Sequence, residues 1–148
     1  MGQTTKVQTS NQLFVDNDVS KFRLGENEYI SGSVTASGAD VEIVEGIVVS
    51  RIAATGLLKP YDTAGAASGA DAIVGLGIKT ETVADGTTSV ITLVNKGKVA
   101  QSKINFKGAE TLETLGGVTG STRRIKDILN DLGLVLEGGT ELTAVDNS

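Results

Sequence analysis

The sequence predicts a mainly β fold with one short C-terminal helix, and three observations carry that reading. Apolar residues recur with a period of two, or in short β-branched runs, and glycine-bearing turn signals bound these runs. The 148 residues include 19 glycines against a single proline, which suits many tight turns and little helix. Only one late stretch shows the i, i+3, i+4, i+7 spacing of an amphipathic helix. The length fits one domain, and 39% hydrophobic residues suffice for a core. With aromatics at 3%, that core has to be built from Val, Ile, Leu and Ala.

Residues 1–20 are polar apart from the island Leu13-Phe14-Val15. Two readings stand for them: a mobile tail, or a flexible N-terminal arm that adds a strand to a partner's sheet edge with Leu13, Phe14 and Val15 as its anchor. The β-rich domain is expected over 21–137. Between Phe22 and Ala36, Ile30, Gly32, Val34 and Ala36 share one parity opposite Ser31, Ser33 and Thr35, which predicts a half-buried strand. Ser37-Gly38-Ala39-Asp40 turns the chain, Val41-Glu42-Ile43 alternates again, and Ile47-Val48-Val49 reads as a strand buried on both faces, as in a barrel or sandwich interior.

Lys59-Pro60-Tyr61-Asp62 is expected to end that element, because Pro60 restricts Lys59 and lacks a ladder donor. Thr63 to Asp71 is a small-residue loop, and Ala72 to Ile78 re-enters the core. Ala84-Asp85-Gly86 between strand-forming runs predicts a hairpin of Thr80–Val83 with Thr87–Val94. Asn95-Lys96-Gly97 predicts a second turn into a strand bearing Ala100, Ile104 and Phe106, so that the three strands form a meander. The helix is expected at about 122–132, capped by Ser121 or Thr122, with Ile125, Ile128, Leu129 and Leu132 inward and Gly133 ending it. Leu134-Val135-Leu136 is a closing strand, Gly138-Gly139 a turn, and 138–148 a polar tail.

The chemistry is bounded by absence. No Cys and no His removes disulfides, thiolate nucleophiles and the usual proton shuttle. A net charge of −5 argues against a nucleic-acid partner. The start lacks the apolar core of a signal peptide, Lys6 stands where a myristoylation motif needs Ser or Thr, and no apolar run approaches the ~20 residues of a membrane span, so no membrane partner is expected. Gly75-Leu76-Gly77 lacks the last glycine and following helix of a dinucleotide fingerprint, so these glycines are read as relieving crowding in a curved sheet. Asp16-Asn17-Asp18 begins like a calcium loop, but Lys21 and Asn27 stand where glycine and glutamate are required, so no metal site is expected. Glu26 with Glu28, or Glu42 with Glu45, is no more distinctive than any carboxylates on an acidic surface. The expectation is a binding module with no cofactor and no catalytic residues, not an enzyme. Arg123-Arg124-Lys126, opposed by Asp127 and Asp131, reads as a salt-bridged face or as a contact to an acidic partner.

The order Ile47-Val48-Val49, Leu57-Leu58-Lys59-Pro60-Tyr61-Asp62, small-residue loop, Ile73-Val74-Gly75-Leu76-Gly77-Ile78, Thr88 to Leu93, Asn95-Lys96-Gly97-Lys98-Val99, helix and short strand resembles the lambda-type head decoration proteins of tailed bacteriophages. The resemblance covers roughly residues 45 to 137 and rests on the order and placement of turns. The chain departs from the lambda protein in its lower proline and aromatic content and its longer N-terminal segment. The resemblance implies a compact β-barrel or β-tulip-like decoration-protein fold. It also implies homotrimers at local threefold sites on the outer surface of the expanded head, made in the cytoplasm of the bacterial host. The major capsid protein is then the partner, gripped by the arm, and the shell is held against internal genome pressure. Pro60, Tyr61, Arg123 and Arg124 are offered as lateral or capsid contacts. The alternative is a tail, fibre or surface-recognition module.

Overall fold

A computed structural model describes residues 21–63, 71–117 and 120–138. The arm with Leu13-Phe14-Val15, most of the small-residue loop, the Gly139 half of the last turn and the remaining tail lie outside the described residues. The chain runs through β1 (Arg23–Thr35), β2 (Val41–Ile43), β3 (Val48–Ile52), β4 (Leu58–Pro60), β5 (Asp71–Gly77), β6 (Glu81–Val83) and β7 (Thr88–Ala100). A 3-10 turn (Gln101–Lys103), α1 (Ile125–Leu132) and β8 (Leu134–Glu137) follow. The architecture is therefore mainly β with a short helix near the C-terminus, as the sequence predicts.

The main sheet has the order β1-β7-β5-β3-β4, antiparallel throughout, with β8 laid parallel on β7; β2 and β6 form a separate antiparallel ribbon. The sheets do not close into a barrel, which corrects that part of the expectation. The edge strands β1 and β4 meet through side chains: a Cβ on Gly32 would fall 2.7 Å from Leu58 Cδ1. β4 is poorly suited to carry a ladder further. It is three residues long, Ile52 N–H donates to the Leu57 carbonyl (2.8 Å) and Tyr61 N–H to that of Val48 (2.9 Å), and Pro60 has no N–H to offer an outer neighbour.

Two local expectations are also corrected. The Ala84-Asp85-Gly86 turn forms, with Gly86 at φ +81° and Thr87 N–H on the Ala84 carbonyl at 3.0 Å, but its flanking strands do not pair with each other. β6 goes to β2, and β7 goes to β1 in the register Thr35↔Thr88 to Arg23↔Val99. Carboxylates lock this exchange: Asp85 Oδ1 accepts from Gly38 N–H (2.7 Å) and Asp40 Oδ1 from Asp85 N–H (2.8 Å). Asn95-Lys96-Gly97 makes no turn, because β7 continues through it. Gly97, at φ +118°, belongs to an irregular stretch where the β1–β7 register shifts, and a Cβ there would lie 2.6 Å from the Glu26 carbonyl. The strand expected to carry Ile104 and Phe106 is instead the 3-10 turn and a single bridge between Asn105 and Ile47.

The pleat sends successive residues to opposite faces, and each face of the main sheet carries a buried cluster. Val48, Leu76 and Val94 join Phe22, Tyr61, Ile73, Val99, Ile125, Leu129 and Leu134 in a helix-side cluster. Val49 and Leu93 join Val34, Ala36, Ile43, Ile47, Leu58, Val83 and Ile91 in a ribbon-side cluster under β2–β6. This is why Ile47-Val48-Val49 is continuously apolar. Glycine allows close approach within the sheet and between layers: a Cβ on Gly75 of β5 would fall 2.8 Å from the Val94 carbonyl of β7, and one on Gly77 3.0 Å from Ile43 Cγ2 of the ribbon.

α1 begins at Ile125, later than the expected Ser121 or Thr122 cap. Its first donors are met by a neighbouring loop: Ile125 N–H bonds the Thr114 carbonyl (2.9 Å) and Lys126 N–H that of Leu112 (3.1 Å). Ser121 Oγ instead accepts from Arg123 N–H at 3.1 Å. Gly133 caps the other end in the left-handed region, as expected. Ile125 and Leu129 are fully buried, with Ile128 and Leu132 packed beside them.

Candidate functional site

Of the residues singled out by sequence, Leu13, Phe14 and Val15 lie outside the described residues. Pro60 and Tyr61 do not stand on the surface. Pro60 is buried opposite Val49, and Tyr61 is 1% exposed within the helix-side cluster. Packing of Tyr61 into that cluster removes it as a surface contact of the chain, and Pro60 meets solvent only as part of the wall of a cleft. Burial pushes the Tyr61 phenol above its ordinary value of 10.0. Sequence reasoning treated this segment as a break; the structure makes it a clasp. Lys59 Nζ lies 2.8 Å from Asp71 Oδ2 and 3.3 Å from Asp62 Oδ2, so the edge strand is tied to the start of β5. The Asp71 side chain is 3% exposed, and its hydrogen bond with Lys59 is the largest cause raising the ammonium pKa above 10.5; burial opposes it and Asp62 adds to it. Nothing in residue spacing marks this pair, since a loop separates its members.

Arg123 and Arg124 are exposed at the start of α1. Arg123 pairs with Asp131, one face along the helix. Arg124 Nη1 donates to the Glu113 carbonyl (3.0 Å) and lies 3.4 Å from Glu113 Oε1, while Lys126 Nζ lies 2.7 Å from Glu113 Oε2. Asp127 Oδ2 accepts from Arg124 N–H at 3.3 Å. The expected salt-bridged face is therefore present, with Glu113 as a member the sequence did not single out, brought in by the loop that caps the helix. These half-exposed pairs hold orientation more than they stabilise.

Two further features suit contact. A cleft of about 540 Å³ lies between β2 and β4, lined by Val41, Val44, Ile52, Leu58, Pro60 and Phe106, with Asp40, Glu42, Lys59 and Lys107 beside them. β1 pairs with β7 along its length and has no second ladder partner among the described residues. Arg23 lies over the Tyr29 ring at 5.9 Å and donates to its hydroxyl at 3.2 Å, near the start of that edge. Glu26, Glu28, Glu42 and Glu45 are all exposed. Among the described residues no three His, Cys, Asp or Glu gather to hold a metal ion, and no helix is long and apolar enough to cross a membrane. No family model matches the chain, and no curated protein matches it.

Proposed function

We propose that this chain is a decoration protein of a tailed-phage head, binding the outer surface of the expanded shell as trimers and stabilising it against genome pressure. The resemblance in element order over roughly residues 45 to 137 carries the reading. The edge of β1, which has no second ladder partner among the described residues, supports it: this edge follows closely on residues 1–20, so an arm docked on the shell leads straight into a sheet held by β7.

The mechanism has two parts. Residues 1–20 order on docking at about 1–2 kcal/mol per fixed backbone residue, offset by edge hydrogen bonds to the major capsid protein and by burial of Leu13, Phe14 and Val15. Each trimer then bridges several shell subunits, so modest contacts combine through high effective concentration. Arg123 and Arg124, ion-paired but exposed, are the described residues of the original set that stand on the open surface.

Co-sedimentation with expanded, undecorated heads and with unexpanded ones from the same source tests this. Saturable binding to the expanded shell alone is expected, weakened by deleting residues 1–20. Binding to neither form overturns the reading in favour of a tail or surface-recognition module. Unchanged binding after the deletion removes the arm from the mechanism.

A further inference from the structure

Asp85-Gly86 is the only place in this sequence where an aspartate or asparagine precedes a glycine. Such a pair can rearrange its own backbone, because glycine has no Cβ to keep the neighbouring carboxyl away from its nitrogen. Both residues are exposed in the turn between β6 and β7, where Gly86 holds φ +81°. The structure ties both reacting groups elsewhere. Gly86 N–H donates to the Ala36 carbonyl (2.9 Å), Asp85 Oδ1 accepts from Gly38 N–H (2.7 Å), and Asp85 N–H donates to Asp40 Oδ1 (2.8 Å). The nitrogen that would attack and the carboxyl it would attack are thus each bonded to the segment 36–40, which joins β1 to β2.

We infer that Asp85 is the site at which this chain isomerises to isoaspartate, and that separation of the 36–40 and 84–87 turns gates the reaction. The steps balance with water as the one co-reactant. Gly86 N bonds to Cγ of the protonated Asp85 carboxyl, and the hydroxyl of that carboxyl leaves with the amide proton as water, closing a succinimide. Water then adds to the ring carbonyl that was the Asp85 backbone carbonyl. Its bond to Gly86 N breaks, and the nitrogen takes a proton from that water. The chain now runs through Cβ and Cγ, and the former backbone carbonyl is a carboxylate attached directly to Cα.

The exchange lengthens the backbone and shortens the side chain, so the carboxylate no longer reaches Gly38 as Asp85 Oδ1 does. β2 and β6 meet over only three residue pairs, and a ribbon of that size opens locally under native conditions. Isomerisation would convert that reversible opening into a permanent loss of the cross-link. The inference concerns the free chain and stands or falls apart from the decoration reading.

The experiment holds the full chain at neutral pH, folded and in urea, and locates isoaspartate by peptide mapping. Conversion is expected at Asp85, at least about tenfold faster in urea, where no gate remains. Asp40→Ala removes one tie and keeps the Asp-Gly pair, so it should raise the folded rate about threefold or more. Equal rates folded and in urea overturn the gate, as does a folded rate unchanged in Asp40→Ala. A folded Asp40→Ala chain without isoaspartate at Asp85, once the urea sample has converted, overturns the site. In the converted fraction, amide exchange should rise in β2 and β6 while α1 stays protected; unchanged exchange in the ribbon overturns the loss of the cross-link.

Discussion

On its helix side the main sheet is covered by α1 and the loop that caps it, with Tyr61, Ile125, Leu129 and Leu134 at the centre. On its other side it is covered by a ribbon of two three-residue strands, β2 and β6, which contribute Ile43 and Val83. Backbone bonds at Leu112, Thr114 and Arg123 join the two parts of the first cover to each other, and Gly97 N–H on the Gly133 carbonyl (3.1 Å) ties the end of α1 to the sheet. The second has a short ladder, two cross-linking carboxylates at Asp40 and Asp85, and backbone bonds at its flanks from Gly46 N–H to the Gly77 carbonyl (2.8 Å) and from Gly86 N–H to the Ala36 carbonyl (2.9 Å). A two-stranded ribbon is marginal by itself, so its order is borrowed from the sheet beneath. The helix-side cluster is the larger of the two, so the helix side is expected to set global stability and the two-stranded ribbon to open locally first.

Four measurements break or sharpen that contrast, the largest effect first. Leu129→Ala removes a fully buried side chain from the helix-side cluster and should cost about 2–5 kcal/mol in urea unfolding; a loss under about 1 kcal/mol means that face is not the stabilising one. Val83→Ala should cost less, about 1–3 kcal/mol, and should speed amide exchange in β2 and β6 while leaving α1 protected. Equal acceleration in α1 means that the two covers unfold as one unit.

The third is alkaline unfolding, centred on the β4 clasp. Both Lys59 and Tyr61 hold their protons more tightly folded than unfolded. Their contribution is complete below the unfolded values of 10.5 and 10.0 and is lost as pH rises through the folded ones. Stability should therefore decline above about pH 10, and less steeply in Lys59→Met. An identical slope in that variant removes Lys59 from the account. Smallest of all, Arg123→Ala breaks a half-exposed pair and should shift unfolding by about 0.2–1 kcal/mol; a larger loss means that the helix start is more tightly integrated than its exposure suggests.

Local patterns were readable where the chemistry is local. The parity of Ile30, Val34 and Ala36, the fully buried Ile47-Val48-Val49 run, the apolar face of α1 and the left-handed Gly133 all follow from residues within a few positions of one another. Partner choice was not readable. Asp85-Gly86 marks a turn, but whether β6 then meets β7 or β2 depends on which pairing lets Val83 and Ile43 cover Ile91 and Leu93 together. Likewise Gly97 has the positive φ a turn needs, yet serves a continuous strand because Asn27 and the Glu26 carbonyl occupy the space beside it. The helix cap was misplaced for the same reason: the carbonyls of Leu112 and Thr114 out-competed the hydroxyls of Ser121 and Thr122.

The sequence by itself determined the class of fold, the runs that enter the core, and the absence of histidine and cysteine chemistry, because composition and periodicity act over short distances. Tertiary structure alone decided that the sheet stays open at β1 and β4, that Lys59 finds Asp71, and that Pro60 and Tyr61 go inward. Each is a pairing between distant segments, and such pairings are selected by packing the whole chain at once, which no window of residues encodes.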